Sequence, residues 1–237
     1  MNTLAVPNLD SEAPKAVAPY WHTAIFLAVL ALLALCGLLF QHEGGAAPAA
    51  SHGSQIPLYL SILAGEWGLL SFARKGSRLS GTTLSDLIGA NWRRPQGLVR
   101  DALLGLALWA VWEMSGHVWT LLFGAGHAAP IEGLLPRDPV EIGLWFAVSC
   151  SAGFCEEVAF RGYFQRQFAA LAQSRWIGLL MQALVFGFAH SYEGLDACIR
   201  ITIYALMFGL LAFWRKSLRP GMIGHAFSDI VAGLFGI

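Results

Sequence analysis

Residues 20–40 form an unbroken apolar run, long enough to cross the roughly 30 Å hydrocarbon core of a bilayer, which takes about 20 helical residues. Six further apolar runs follow, at residues 56–73, 98–123, 140–161, 176–190, 197–214 and 222–237. In lipid no water is present to satisfy backbone N–H and C=O groups, so runs of this length fold as helices that close their own hydrogen bonds. The expected fold is all-α: a polytopic transmembrane helical bundle of about seven spans, with interfacial helices at 80–92 and 162–175. Composition agrees, with 56% hydrophobic residues, 13% charged residues and a mean hydropathy of +0.57. A length of 237 residues leaves room for one bundle and no sizeable soluble domain. Residues 1–19 are polar, contain Pro7, Pro14 and Pro19, and read as a flexible cytoplasmic tail. Residues 20–237 read as a single transmembrane domain. The first run exceeds the apolar core of a signal peptide and is expected to be an anchor.

The formal net charge is zero, which gives no reason to expect a nucleic-acid partner; the bilayer and membrane-associated peptides or proteins are the expected partners. Distribution is more informative than the sum. With the N-terminus inside, all of the fifteen basic residues except Arg137 and Arg200 fall on the cytoplasmic side of a seven-span topology, as the positive-inside rule requires. The expected location is integral to the membrane, in a plasma (inner) membrane. Cys36, Cys150, Cys155 and Cys198 lie in or beside apolar runs without C-x-x-C spacing, which argues for buried small side chains over disulfides or a thiolate metal site.

Against this background, Cys155-Glu156-Glu157-Val158-Ala159-Phe160-Arg161-Gly162 stands out. A charge at the bilayer centre costs roughly 3 kcal/mol on insertion scales, so ionisable residues within spans mark functional sites by default. Glu157 and Arg161 are four apart in the favourable acid-before-base order and neutralise each other. Glu156 projects about 100° away, lacks such a partner and is the leading catalytic candidate. The competing structural reading places the octapeptide at the headgroups, at the cytoplasmic end of a span. Two further pairs share the four-residue spacing: Phe186 with His190, where the ring holds the imidazole rotamer, and His225 with Asp229, where a carboxylate orients the imidazole. Glu156, His190 and His225 thus lie on three spans of one bundle, the arrangement from which facing helices build a site. Glu113 with His117, and Glu66 alone, admit a relay role but read more simply as hydrogen-bonded bundle residues.

Taken in order, Glu156-Glu157-x-x-Phe160-Arg161-Gly162, Phe186-x-x-x-His190 and His225-x-x-x-Asp229 resemble the three motifs of the CAAX protease and bacteriocin-processing (CPBP, or Abi) family of intramembrane endopeptidases. The likeness covers about the last 100 residues. It implies a hydrolase in which Glu156 and His190 activate water, His225 and Asp229 serve the oxyanion, and Glu157, Arg161 and Phe186 hold the site or the substrate. The third motif often ends in Asn. An ionised Asp229 would repel an oxyanion, so it either carries a proton or orients His225, and the second is preferred. No cofactor is expected. One Glu with two His would also suit Zn²⁺, but the H-E-x-x-H helix of metalloproteases is absent, and a metal-free glutamic mechanism is preferred. Two readings outside proteolysis stay open, a scaffold or immunity protein of the same fold and a proton-coupled transporter using Glu66, Glu113 and Glu156.

Overall fold

A computed structural model describes residues 13–43, 54–89, 95–124 and 135–235. All seven apolar runs are helical. In chain order the helices are α1 (Tyr20–Glu43), α2 (Ile56–Leu79), α3 (Leu84–Ile88), α4 (Leu98–Phe123), α5 (Pro139–Glu156), a π-helical segment (Glu157–Phe164), α6 (Gln165–Ala172), α7 (Arg175–Ala189), a 3₁₀ turn (Ser191–Glu193), α8 (Leu195–Arg215) and α9 (Arg219–Phe235). No strand occurs among the described residues. Among the described residues, four helical stretches are long and apolar enough to cross a membrane: Tyr20–Leu39, Ile56–Leu79, Pro139–Ala172 and Leu195–Arg215. Helix α4 is long but carries Arg100, Asp101, Glu113 and His117, while α7 and α9 are apolar and shorter. Arg93, Arg94 and most of the loop expected at 124–139 lie outside the described residues.

Helix α2 runs parallel to α5, and the register is set at their first turns. Asp138 caps α5 by accepting from the N–H groups of Val140 and Glu141, with Pro139 at the first helical position, where a missing N–H costs nothing. The Glu141 side chain then accepts from the backbone N–H of Gln55 at 2.7 Å and of Arg137 at 2.9 Å. This satisfies donors at the start of both helices. One and three turns further on, Tyr59 packs edge-on against Trp145 and the Trp67 indole donates to Ser151 Oγ at 3.0 Å.

Helix α9 lies between α4 and α5 at very close range. A Cβ added to Gly105 of α4 would stand 2.7 Å from the Pro220 carbonyl oxygen, and one added to Gly153 of α5 would stand 2.7 Å from the Met222 carbonyl oxygen. Helices in lipid gain association from this kind of backbone approach, because lipid tails remove the hydrophobic drive between apolar faces. One end of the α4–α8–α9 group is locked by charge. Asp101, 1% exposed, accepts from Arg215 Nη2 at 2.8 Å and from Arg219 Nε at 2.6 Å. No feature of the sequence singled out Asp101.

The end of the polar N-terminal stretch is packed rather than free. Val17 and Ala18 are buried and donate their backbone N–H groups to Gln167 Oε1 at 2.9 and 3.1 Å, while Gln167 Nε2 donates to the Ala18 carbonyl. At the start of α1, His22 Nδ1 and Thr23 Oγ1 each lie 3.0 Å from the Tyr163 hydroxyl. Residues 1–12 lie outside the described residues.

Candidate active site

The helix begun at Pro139 continues without a break through Glu156, the π-helical segment and α6 to Ala172, 34 residues in all. At 1.5 Å per residue this path is about 50 Å long, well beyond the roughly 30 Å of a hydrocarbon core. The helix expected at 162–175 is therefore present as a direct continuation past Arg161, and this bears on the depth of the motifs. Helices α6 and α7 are joined by a tight turn in which Gln173 adopts a left-handed φ of 50° and Ser174 donates to the Ala169 carbonyl. Glu156 lies sixteen residues before Ala172 and His190 fifteen residues after Arg175, or about 24 and 22 Å along their helices. The two come level. A helix ending at Arg161 would have left His190 far deeper than Glu156.

The π-helical segment carries the charged motif. Its wider i→i+5 turn is a rarity that concentrates at functional sites. Here it stacks Arg161 over Glu157, with Nη1 3.0 Å from Oε1 and both side chains fully enclosed. The guanidinium also lies over the Phe186 ring at 4.5 Å and faces Phe208 at 5.6 Å. The expected in-helix pair is present. Its acid has a second engagement: His225 Nδ1 lies 3.3 Å from Glu157 Oε1. The backbone of α9 can come this near because residue 221 is glycine; a Cβ there would lie 2.7 Å from Glu157 Oε2.

Both nitrogens of His225 thus face carboxylates. Nδ1 is directed to Glu157, and Nε2 lies 3.6 Å from Asp229 Oδ2 and 3.8 Å from Glu156 Oε2. The last two distances exceed a hydrogen bond. The carboxylate that holds the imidazole is therefore Glu157, with Asp229 and Glu156 one contact further away. The ring itself is buried and set edge-on to Tyr204 and Phe208. Glu156 keeps 18% of its side chain exposed and Asp229 34%, whereas Glu157 is sealed. Glu156 and Asp229 are thus partly accessible, whereas Glu157 is fully enclosed. The backbone at Asp229 is fixed by the Trp145 indole, which donates to its carbonyl at 2.8 Å.

His190 caps the end of α7, and its Nδ1 lies 2.8 Å from the Phe186 carbonyl. A carbonyl only accepts, so Nδ1 carries the proton, and in the neutral ring Nε2 presents a lone pair. Phe186 is the meeting point of the three motifs. Its ring centroid is 4.7 Å from that of His190, 6.3 Å from that of His225 and 4.7 Å from that of Phe160. No direct hydrogen bond or ion pair joins His190 to Glu156 among the described residues.

The remaining acids separate by position. Glu66 is buried, and its Oε2 has no hydrogen-bond partner. The α2–α5 contacts pair Tyr59 with Trp145 and Trp67 with Ser151, which sets Glu66 level with residues 150–152, one to two turns before Glu156. Glu113 and His117 share no hydrogen bond or ion pair, and His117 is exposed, so the bonded pair expected on α4 does not form. Among the described residues no group of three His, Cys, Asp or Glu is arranged to hold a metal ion.

The fold is an all-α helical bundle of the membrane-protein class, and it encloses an acid and imidazole cluster where α5 with its π-helical extension, α7 and α9 meet. Residues 138–231, the stretch that holds all three motifs, match the Rce1-like family, described as type II CAAX prenyl endopeptidase Rce1-like. The family likeness carried by the motifs therefore holds over this segment, and it supports a protease function of the CAAX type. No curated protein and no solved structure matches the chain.

Proposed function

We propose that this chain is an intramembrane endopeptidase that hydrolyses a peptide bond of a membrane-associated substrate, in the first instance a prenylated peptide of the CAAX kind. The observation that carries the proposal is the single imidazole of His225, held through Nδ1 by the sealed Glu157–Arg161 pair, with Nε2 turned toward the open side where Glu156 and Asp229 stand. In this reading Glu156, the acid with access, removes a proton from water. His190 Nε2, its lone pair directed by the Nδ1 contact to Phe186, positions that water. The hydroxide adds to the scissile carbonyl, the developing oxyanion settles near His225, and Glu156 returns the proton to the departing amine. General acid–base groups contribute about 10²- to 10⁴-fold to such steps, and donors aimed at the oxyanion about 10²- to 10³-fold.

The reading is metal-free, with zinc ligation by Glu156, His190 and His225 as the alternative that the test separates. The proposed location is a plasma (inner) membrane with the N-terminus cytoplasmic, which puts the ends bearing Arg74, Lys75, Arg78, Arg166, Arg175, Arg215, Lys216 and Arg219 inside. The test is cleavage of a prenylated CAAX peptide by the purified chain in nanodiscs. Wild type is expected to cleave with and without a zinc chelator, and Glu156→Gln to lose at least about 10²-fold in rate at unchanged thermal stability. Loss of activity with chelator, restored by Zn²⁺, would replace the mechanism. Full activity in Glu156→Gln would remove the assignment of the base.

A further inference from the structure

Arg137 and Arg200 are the two basic residues that the positive-inside pattern leaves off the cytoplasmic side. Arg200 stands five residues beyond Leu195, the first residue of α8, and is half-buried between Ile199 and Ile201. An arginine within an apolar helix is costly and marks a use by default. Its guanidinium lies over the Trp112 ring at 5.5 Å and reaches α4 at Gly116, where an added Cβ would stand 3.1 Å from Nη2. The indole face answers part of the charge, but a ring offers no oxygen to the N–H donors of the fork. The nearest acids in sequence supply none. Asp196, one turn earlier on α8, accepts from the Trp119 indole at 2.9 Å, and Glu113, next to Trp112 on α4, makes no ion pair with Arg200. Among the described residues no carboxylate lies within ion-pair distance of this guanidinium.

The same contacts place Arg200 beside the acid and imidazole cluster. Tyr204, four residues further along the same face of α8, packs edge-on to Trp112 at 4.9 Å and edge-on to His225 at 5.6 Å. Arg200 is therefore about 6 Å along α8 from the residue that touches the imidazole. A C-a-a-X motif closes its chain, so whichever of its bonds is cut, the terminal carboxylate follows within three residues, a span of at most about 10 Å. That carboxylate brings its own difficulty, because an anion carried into an apolar bundle is as costly as a lone cation. Pairing the two removes both costs.

We infer that Arg200 receives the C-terminal carboxylate of the substrate and thereby selects peptides whose chain ends shortly after the cleaved bond. The planar guanidinium fork matches a carboxylate through two parallel N–H···O bonds. A peptide that continues past the motif has no anion to offer at that place. The inference rests on the proposed hydrolysis of a CAAX-type peptide, and it assigns to α8 a part in choosing the substrate that the three motifs do not carry.

The experiment compares two prenylated C-a-a-X peptides on the purified full chain in nanodiscs, identical except that one ends in a free carboxylate and the other in a carboxamide. Wild type is expected to favour the free acid by roughly ten- to a hundred-fold in kcat/KM, the range of a hydrogen bond to a charged group, with the difference residing in KM. Arg200→Gln is expected to treat the two peptides alike, and Arg200→Lys to keep a weaker preference for the acid, since an ammonium retains the charge without the fork. A variant that is merely less well folded loses rate on both peptides in proportion and keeps the preference. An Arg200→Gln protein that still prefers the acid, or a wild type that shows no preference, overturns the inference. Should wild type cleave neither peptide, the hydrolytic reading fails on its own, and binding of the two peptides to wild type and Arg200→Gln, read by tryptophan fluorescence, decides the inference. Tighter binding of the acid that Arg200→Gln abolishes supports it, and equal or absent binding overturns it.

Discussion

At the scale of single residues, the site is a chain of charges in which each member is held by the one behind it. Arg161 holds Glu157, Glu157 holds His225, and Glu156 stands open beside them. Removing a member from the sealed end should therefore act differently from removing one at the open end. Arg161→Ala leaves Glu157 fully enclosed without its cation and is expected to cost about 3–5 kcal/mol of stability, measured by thermal or denaturant unfolding in detergent, with activity falling in step. An Arg161→Ala variant as stable as wild type would mean that Glu157 does not depend on the pair. The pair itself was legible in the sequence, because four-residue spacing on a helix puts both side chains on one face. Its link to His225 was not. Those residues are 68 positions apart, and nothing local in the chain distinguishes Glu157 from Glu156 as the one that reaches α9. The spacing did put the Asp229 carboxylate beside His225, at 3.6 Å from Nε2, but gave no sign that Glu157 would take the shorter contact to Nδ1 at 3.3 Å.

At the scale of elements, the apolar runs translated directly into helices, since lipid allows the backbone few alternatives. What they did not reveal was how closely the helices pack. The face of α9 that carries His225 reaches α5 because Gly153 leaves space for the backbone of residues 222–226, and reaches α4 because Gly105 does the same opposite Pro220 and Gly224. Gly153→Val is expected to force α9 outward, at a cost of about 1–3 kcal/mol from overpacking. Activity should fall by far more than stability, because His225 moves with the helix. A variant with normal proteolysis would show that α9 can shift without disturbing the site. The π-helical turn was equally invisible to a reading that assumed 100° per residue throughout, although a helix over 162–175 was expected.

For the molecule as a whole, the all-α architecture and the order of the described helices could be read from the chain, while its long-range locks could not. Asp101 is bonded to arginines 114 and 118 residues away, and Val17 to a glutamine 150 residues away. An aspartate near the start of an apolar run looks like an ordinary helix-start residue, because acids are favoured there. Asp101→Asn should release the joint between α4, α8 and α9 and lower stability by roughly 1.5–3 kcal/mol, the value of a charged hydrogen bond. Catalysis by the molecules that remain folded should be retained, as measured by rate per folded enzyme. A selective loss of turnover with no loss of stability would instead assign Asp101 to the working of the site.

The placement of His225 on α9 has a consequence for how the protein is made. Among the described helices α9 is the last to be synthesised, and Glu156 and His190 are already in the membrane before it arrives. Until then Glu157 can enter the bilayer neutralised by Arg161 of its own helix, so the nascent bundle carries its most deeply enclosed acid without waiting for a distant partner. The imidazole reaches that acid only when α9 slides in between α4 and α5. In the proposed mechanism the cluster is therefore incomplete until α9 has docked, and hydrolysis would begin only then.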